Sequence, residues 1–200
     1  MNILRRQPPA SLTLTALSGI PLLNPGDNLV LIILQSLKQS NLSLENGDIL
    51  VIAQKVVSKA EGRYARLADI IPSERAFKLA EITGKDPRLV ELILSESREI
   101  VRHSKRTIQS SGVVVAENRQ GIVLANAGID SSNVGSESED EKVLLLPIDP
   151  DKSAGNINKE LQLKFKVRLA VIINDSLGRA WRNGTTGTAL GVSGIPALLN

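Results

Sequence analysis

Residues 167–173 read Val-Arg-Leu-Ala-Val-Ile-Ile, the strongest strand signal in the chain. A short apolar run of this kind, rich in β-branched residues, predicts a buried strand. It ends in Asn174-Asp175-Ser176-Leu177-Gly178-Arg179. A second such run, 48–53 (Asp-Ile-Leu-Val-Ile-Ala), follows the turn signal Asn46-Gly47 and leads into Gln54-Lys55-Val56-Val57-Ser58-Lys59. Residues 12–17 alternate like a half-buried strand, and Gly19-Ile20-Pro21 then turns the chain. Residues 112–116 and 121–125 predict a hairpin around Asn118-Arg119-Gln120. A short strand is expected at 144–146.

Helical periods lie between these runs. Asp27 is placed to cap a helix whose apolar stripe is Leu29, Ile32, Ile33 and Leu37. Ser73 caps a second helix that Gly84 stops. Asp86 caps a third, with Pro87 at its first position and Leu89, Val90, Ile93 and Leu94 on one face. Asp149-Pro150 resembles a further helix start, with Asn156 and Asn158 opposing it. Residues 135–142 are polar and acidic and read as a surface loop. The tail, 183–196, is glycine-rich, which suits loops or tight packing. Strands and helices mix without a clean βαβ alternation, so the expected fold class is α+β rather than a doubly wound sheet. With no internal repeat and no clear linker, the 200 residues read as one domain.

Composition narrows the chemistry. No cysteine is present, so disulfides, thiolate zinc sites and a cysteine nucleophile are excluded. The one histidine, His103, lies among Arg102, Lys105 and Arg106, where it reads as a solvated surface residue. A metal here is held mainly by oxygen, which means magnesium, manganese or calcium rather than zinc. Only four aromatic side chains occur, too few for the stacking that single-strand nucleic-acid binding uses. No apolar stretch is long enough to span a bilayer. Pro8 and Pro9 interrupt what would be the apolar part of a signal peptide. A cytoplasmic protein without membrane or nucleic-acid partners is expected.

No P-loop, dinucleotide fingerprint or nucleophile elbow is found in the chain. Three features remain, each at the end of an apolar strand: Asp130, Asp175 with Ser176, and Lys55 with Lys59. Two carboxylates from different strands and a hydroxyl can share one hard cation, and lysines can neutralise phosphates. Together these parts suggest phosphoryl transfer without a P-loop. Each has a plainer reading. Asp130 suits an Asx turn, Asp175-Ser176 a cap or turn, and Lys55 and Lys59 a solvated face. The tail glycines suit loops and tight packing as well as a phosphate cradle. From spacing alone the two readings stand about even.

Five segments, in this order, resemble the coenzyme F420:L-glutamate ligase family: Gly19-Ile20-Pro21-Leu22, residues 47–63, 126–134, 144–154 and 171–184. The resemblance runs from about residue 12 to the end of the chain. It implies an α+β fold found in few other proteins, and a homodimer with intertwined subunits. It implies a ligase that uses GTP to join L-glutamate to the deazaflavin precursor F420-0 through an acyl phosphate, first by an amide and then by a γ-linkage. It assigns divalent-metal contacts (Mg²⁺ or Mn²⁺) to Asp130, Asp175 and Ser176, and a monovalent cation, K⁺, besides. GTP contacts fall on Gly19, Ile20, Pro21, Leu22, Gln54, Lys55, Lys59 and Asn133. Ser176 stands where many relatives carry threonine, and Gln54-Lys55 where some carry small hydroxyl residues. Family chains continue past the tail motif, with a further metal ligand and nucleotide contacts. A non-catalytic nucleotide- or metal-binding piece of such an enzyme is therefore the alternative expectation.

Overall fold

The computed structural model describes residues 11–108, 111–130, 141–178 and 183–198. The first helix, α1 (Leu29–Gln39), buries Val30, Ile33 and Leu37 along one stripe. Its cap is Asn28, whose side chain accepts the Leu31 N–H. The expected cap, Asp27, instead closes the preceding turn by accepting the Asn24 N–H at 2.7 Å. Strand β1 (Ile49–Ala53) passes without a loop into α2 (Gln54–Ala60), a helix not anticipated from the sequence. After β2 (Tyr64–Arg66), helices α3 (Glu74–Thr83) and α4 (Pro87–Ser95) start at Ser73 and Asp86, as their capping residues predict. Gly84 ends α3 at φ +66°, the left-handed conformation that glycine adopts without strain.

The remaining elements are β3 (Ser97–His103), β4 (Val114–Asn118), β5 (Val123–Ala125), β6 (Lys142–Leu144), α5 (Pro150–Phe165), β7 (Ala170–Gly178) and β8 (Thr185–Ser193). Three sheets result, and the fold is α+β as expected. β1 runs parallel to β7, which pairs antiparallel with β8. β2 pairs with β6, and β3, β4 and β5 form an antiparallel meander containing the expected hairpin. His103 lies exposed at the end of β3.

Several expectations are corrected by the packing. Residues 12–17 alternate but form no strand. Leu12 and Leu14 are 83% and 86% exposed, and an extended stretch becomes a strand only when a neighbour takes its N–H and C=O groups. The short strand expected at 144–146 is β6, two residues earlier. α5 forms across Asn156 and Asn158 despite their low helix propensity. Asn158 is buried, accepts the Gln162 side-chain amide at 2.8 Å and donates to Ser193 Oγ at 3.0 Å, so tertiary bonds outweigh propensity. Much of the glycine-rich tail is not loop but β8, paired with β7 from Thr185 to Ser193. Gly191 lets β8 close onto α5, since a Cβ there would stand 2.3 Å from the Pro150 carbonyl carbon. The expected acidic loop falls mostly on residues 131–140, outside the described residues.

Two larger apolar clusters hold these elements. One joins α3, α4, β4 and β6 through Leu79, Val90, Ile93, Val114 and Val143. The other joins α1, β1, α2, α5 and β7 through Ile33, Ile52, Val57, Leu161, Val171 and Ile173. Among the described residues no helix is long and apolar enough to cross a membrane.

Candidate active site

The parallel strands β1 and β7 end their pairing together, at Ala53 opposite Asn174. Beyond that point β1 turns into α2 while β7 continues along β8, with Asp175 opposite Thr188 and Ser176 opposite Gly187. Asp175 and Ser176 therefore lie within a strand, not in a cap or turn after it. Side chains alternate along a strand, so Asp175 continues the row of Val171 and Ile173 that faces the core. One residue past the end of β1 that row runs out of apolar cover, and a carboxylate is left half-buried. Ser176 is exposed. Its backbone N–H, not its side chain, meets Asp175, donating to Oδ1 at 2.8 Å.

Lys55 is the second residue of α2 and pairs with Asp130. Asp130 is positioned by a two-bond bridge to the end of β6. Its N–H donates to the Leu144 carbonyl at 3.0 Å, and its carbonyl accepts the Leu144 N–H at 2.8 Å. Arg63 ties this bridge to the segment that follows α2. Its carbonyl accepts the Leu145 N–H at 2.8 Å, its Nε donates to the Leu146 carbonyl at 2.8 Å, and Nη2 lies 3.2 Å from Glu96.

Asp175 lies within the electrostatic reach of the Lys55–Asp130 pair. Burial pushes its carboxyl above the usual carboxylate range. The Ser176 N–H and Lys55 pull it down, and the neighbouring charge of Asp130 pushes it further up. An ion pair and a second carboxylate that feels both of its charges thus come from three separate segments. The Lys55 and Asp130 side chains are 32% and 22% exposed, so the cluster is open enough to admit a ligand and sheltered enough for charges to act strongly.

The turn before Asp130 is unusual. Asn126, Ala127 and Gly128 are consecutively left-handed, at φ +52°, +54° and +81°. Left-handed backbone costs a non-glycine residue energy unless its surroundings impose it. Asn126 Oδ1 is buried without a hydrogen-bond partner among the described residues, and Gly128 packs where a Cβ would strike Leu146 and Leu124. The sequence reading included this turn in a motif but did not single out Asn126. The available signal was the Asn-Ala-Gly order itself, since asparagine and glycine are the residues that tolerate positive φ.

The other expected site residues are placed as follows. Lys59 lies one turn after Lys55, on the same side of α2. Gln54 is buried, and its Oε1 accepts the Ser58 hydroxyl at 3.0 Å, so that end of the amide faces inward. Gly19, at φ +76°, opens the irregular stretch through Ile20, Pro21 and Leu22, which forms no regular turn. This stretch is held against the C-terminal half of α1. The Ser36 hydroxyl donates to the Ser18 carbonyl at 2.6 Å, and a Cβ on Gly19 would stand 2.3 Å from Gln39 Oε1. Asn133 lies outside the described residues.

The donor chemistry fits a hard divalent cation. Asp130 and Asp175 supply oxygen ligands, and magnesium or manganese typically takes one or two carboxylates with water or phosphate oxygens completing the shell. Among the described residues no group of three or more acidic or imidazole side chains could hold a metal, so any ion here would draw most of its ligands from elsewhere.

Comparison with known proteins places the chain in a family. The chain is 45% identical over 184 residues to the coenzyme F420:L-glutamate ligase of Methanothermobacter thermautotrophicus, covering 92% of this chain and 69% of that protein. It is 45% identical over 174 residues to the protein of that name from Methanopyrus kandleri, covering 87% and 63%. For the Methanocaldococcus jannaschii protein of that name the figures are 44% over 155 residues, 78% and 58%. The chain thus spans roughly three-fifths to two-thirds of the length of these relatives. The model of the family described as F420-0:Gamma-glutamyl ligase matches residues 19–200, and the chain belongs to that family.

Proposed function

We propose that this chain carries the metal- and phosphate-handling part of a GTP-dependent ligase that joins L-glutamate to F420-0. The observation that carries the reading is the convergence of Lys55, Asp130 and Asp175 at the common end of β1 and β7. The relatives named above support the amide-forming reaction and its two substrates, F420-0 and glutamate. The nucleotide, the acyl phosphate and the ions are our extension of it. Potassium, an intertwined homodimer and a cytoplasmic location belong to the same reading by resemblance.

The chemistry divides into two balanced steps. A carboxylate oxygen of F420-0 attacks the γ-phosphorus of GTP, the bond to the β–γ bridging oxygen breaks, and GDP leaves. The glutamate amine then attacks the acyl carbon of the mixed anhydride, loses a proton and expels inorganic phosphate. A second round on the γ-carboxylate adds a further glutamate. In such transfers the protein mainly positions reactants and stabilises charge. Asp130 and Asp175 would hold the divalent ion, which when bound neutralises charge on the phosphates. Lys55 and Lys59, one turn apart, present two ammonium groups to a polyanion from one face of α2. The half-buried setting of Asp175 strengthens each of these interactions relative to open water.

Calorimetric titration of the chain with Mn²⁺ and with GDP tests the binding part of this reading. Release of GDP on mixing GTP, F420-0 and glutamate tests the chemistry. The expected result is binding of both, with amide formation that requires the divalent ion. A chain that bound neither Mn²⁺ nor GDP would overturn the proposal.

A further inference from the structure

We propose that Lys55 couples the metal to the nucleotide by exchanging partners: its ammonium holds Asp130 until a divalent ion arrives, and then turns to the phosphates. The inference rests on the reading of Asp130 and Asp175 as the metal pair. It goes beyond that reading by giving one lysine both jobs in sequence.

The argument starts from charge. Lys55 holds Asp130 in an ion pair, and the charges of both residues reach the Asp175 carboxyl, Asp130 pushing it up. Without a cation, the two carboxylates repel. Lys55 supplies that cation from the protein itself, through the ion pair with Asp130 and its favourable field at Asp175. A divalent ion seeking the Asp130 oxygen must therefore compete with an ammonium already there. Lysine suits such an exchange. It is a compact point charge on a flexible four-carbon stem, and its head can move while α2 stays fixed. α2 does stay fixed, because Val57, Ser58 and Ala60 are buried beneath it.

Displacement leaves Lys55 one turn from Lys59 on α2, both partly exposed, next to a site that has just gained positive charge. A polyphosphate is the ligand that such an arrangement favours. Metal and nucleotide then help each other to bind, and by linkage the help is reciprocal. Part of that coupling comes from direct contact between ion and phosphate. The part assigned here passes through Lys55 and vanishes when its charge does.

Titration of the nucleotide-free protein with Mn²⁺ alone separates the possibilities, using wild type, Lys55→Met and Lys55→Arg. Lys55→Met removes the competing charge while keeping the length of the side chain. It should bind Mn²⁺ roughly two- to fivefold more tightly than wild type, the size of a half-exposed ion pair. Lys55→Arg keeps a cation and should stay close to wild type. In a second series, GDP affinity is measured with and without Mn²⁺. The ratio of the two affinities should be smaller in Lys55→Met than in wild type. Unfolding in chelator confirms that each variant is folded. Wild type that binds Mn²⁺, with Lys55→Met binding it equally or more weakly, would overturn the exchange and leave the metal pair standing. Wild type that fails to bind Mn²⁺ would overturn the metal pair and the exchange together.

Discussion

Asparagine at position 175 would keep the size of the aspartate side chain and remove its charge, and the structure predicts opposite effects in the absence and presence of metal. In the metal-free protein, burial is the largest influence on Asp175, and it acts against the charged form. A carboxyl whose folded pKa is raised holds its proton more readily when folded than when unfolded. Its contribution to stability is therefore present below the unfolded pKa and lost as pH rises through the folded pKa. At neutral pH the ionised side chain is a net cost, which Asp175→Asn removes while its amide oxygen still accepts the Ser176 N–H. In chelator the variant should melt above wild type at neutral pH, and the gap should close toward pH 3. Metal reverses the order. At a hundred times its Kd, a ligand that binds only the folded state stabilises by about 2.7 kcal/mol. For a chain of this length that is about 5–11 °C in Tm. Wild type should show such a shift with Mn²⁺, and the variant, left with one carboxylate, a small part of it. Thermal unfolding followed by circular dichroism, in chelator and in Mn²⁺, reads both effects. A variant that melts below wild type in chelator would refute the claim that burial outweighs Lys55. A variant that keeps the full Mn²⁺ shift would remove Asp175 from the metal pair.

Other predictions concern the scaffold. Lys166 caps the C-terminus of α5 with φ +57° and is exposed, so Lys166→Gly should stabilise by about 0.5–1 kcal/mol in urea unfolding. Leu161 is fully buried where α5 packs under the β1–β7 sheet, and Leu161→Ala should cost about 3–5 kcal/mol in the same measurement. Hydrogen bonds from Arg88 hold the Asp86 carboxyl below its ordinary range. Its contribution is present above the unfolded pKa and lost as pH falls toward the folded one, so Asp86→Asn should flatten the acid side of the stability profile.

Local signals carried well where local physics decides. The caps at Ser73, Asp86 and Asp149, the stop at Gly84, the hairpin of β4 and β5, and the buried run of β7 all follow from neighbours in sequence, whereas β1, expected to be buried, is an edge strand with Ile49 and Val51 exposed. What escaped was decided by distant partners. β8 is a strand because β7 offers it a ladder, although four glycines lie within or beside it. α5 persists because Ser193 and Gln162 satisfy Asn158. β3 was unannounced because its side chains are mostly exposed and charged, which blurs any apolar alternation. Around the candidate site, the residue types and the position of Lys55 just past β1 were legible, whereas Asp175 lies inside β7 rather than at its end. The ion pair between residues 75 positions apart, and the inward turn of Gln54, were not legible.

The two carboxylates reach the site by unequal supports, and this bears on how an ion would be captured. Asp175 sits inside a nine-residue strand paired along its length with β8. Asp130 hangs on an isolated bridge to Leu144, just after a turn of three left-handed residues. A ladder resists displacement because many bonds must shift together, whereas a single bridge after a turn yields more easily. Asp175 is thus the fixed member of the pair and Asp130 the adjustable one. Lys55 pairs with the adjustable member. Its release changes the side chain best able to move, and leaves undisturbed the strand that sets the geometry. A site arranged this way can exchange an internal cation for an external one without reorganising the sheet beneath it.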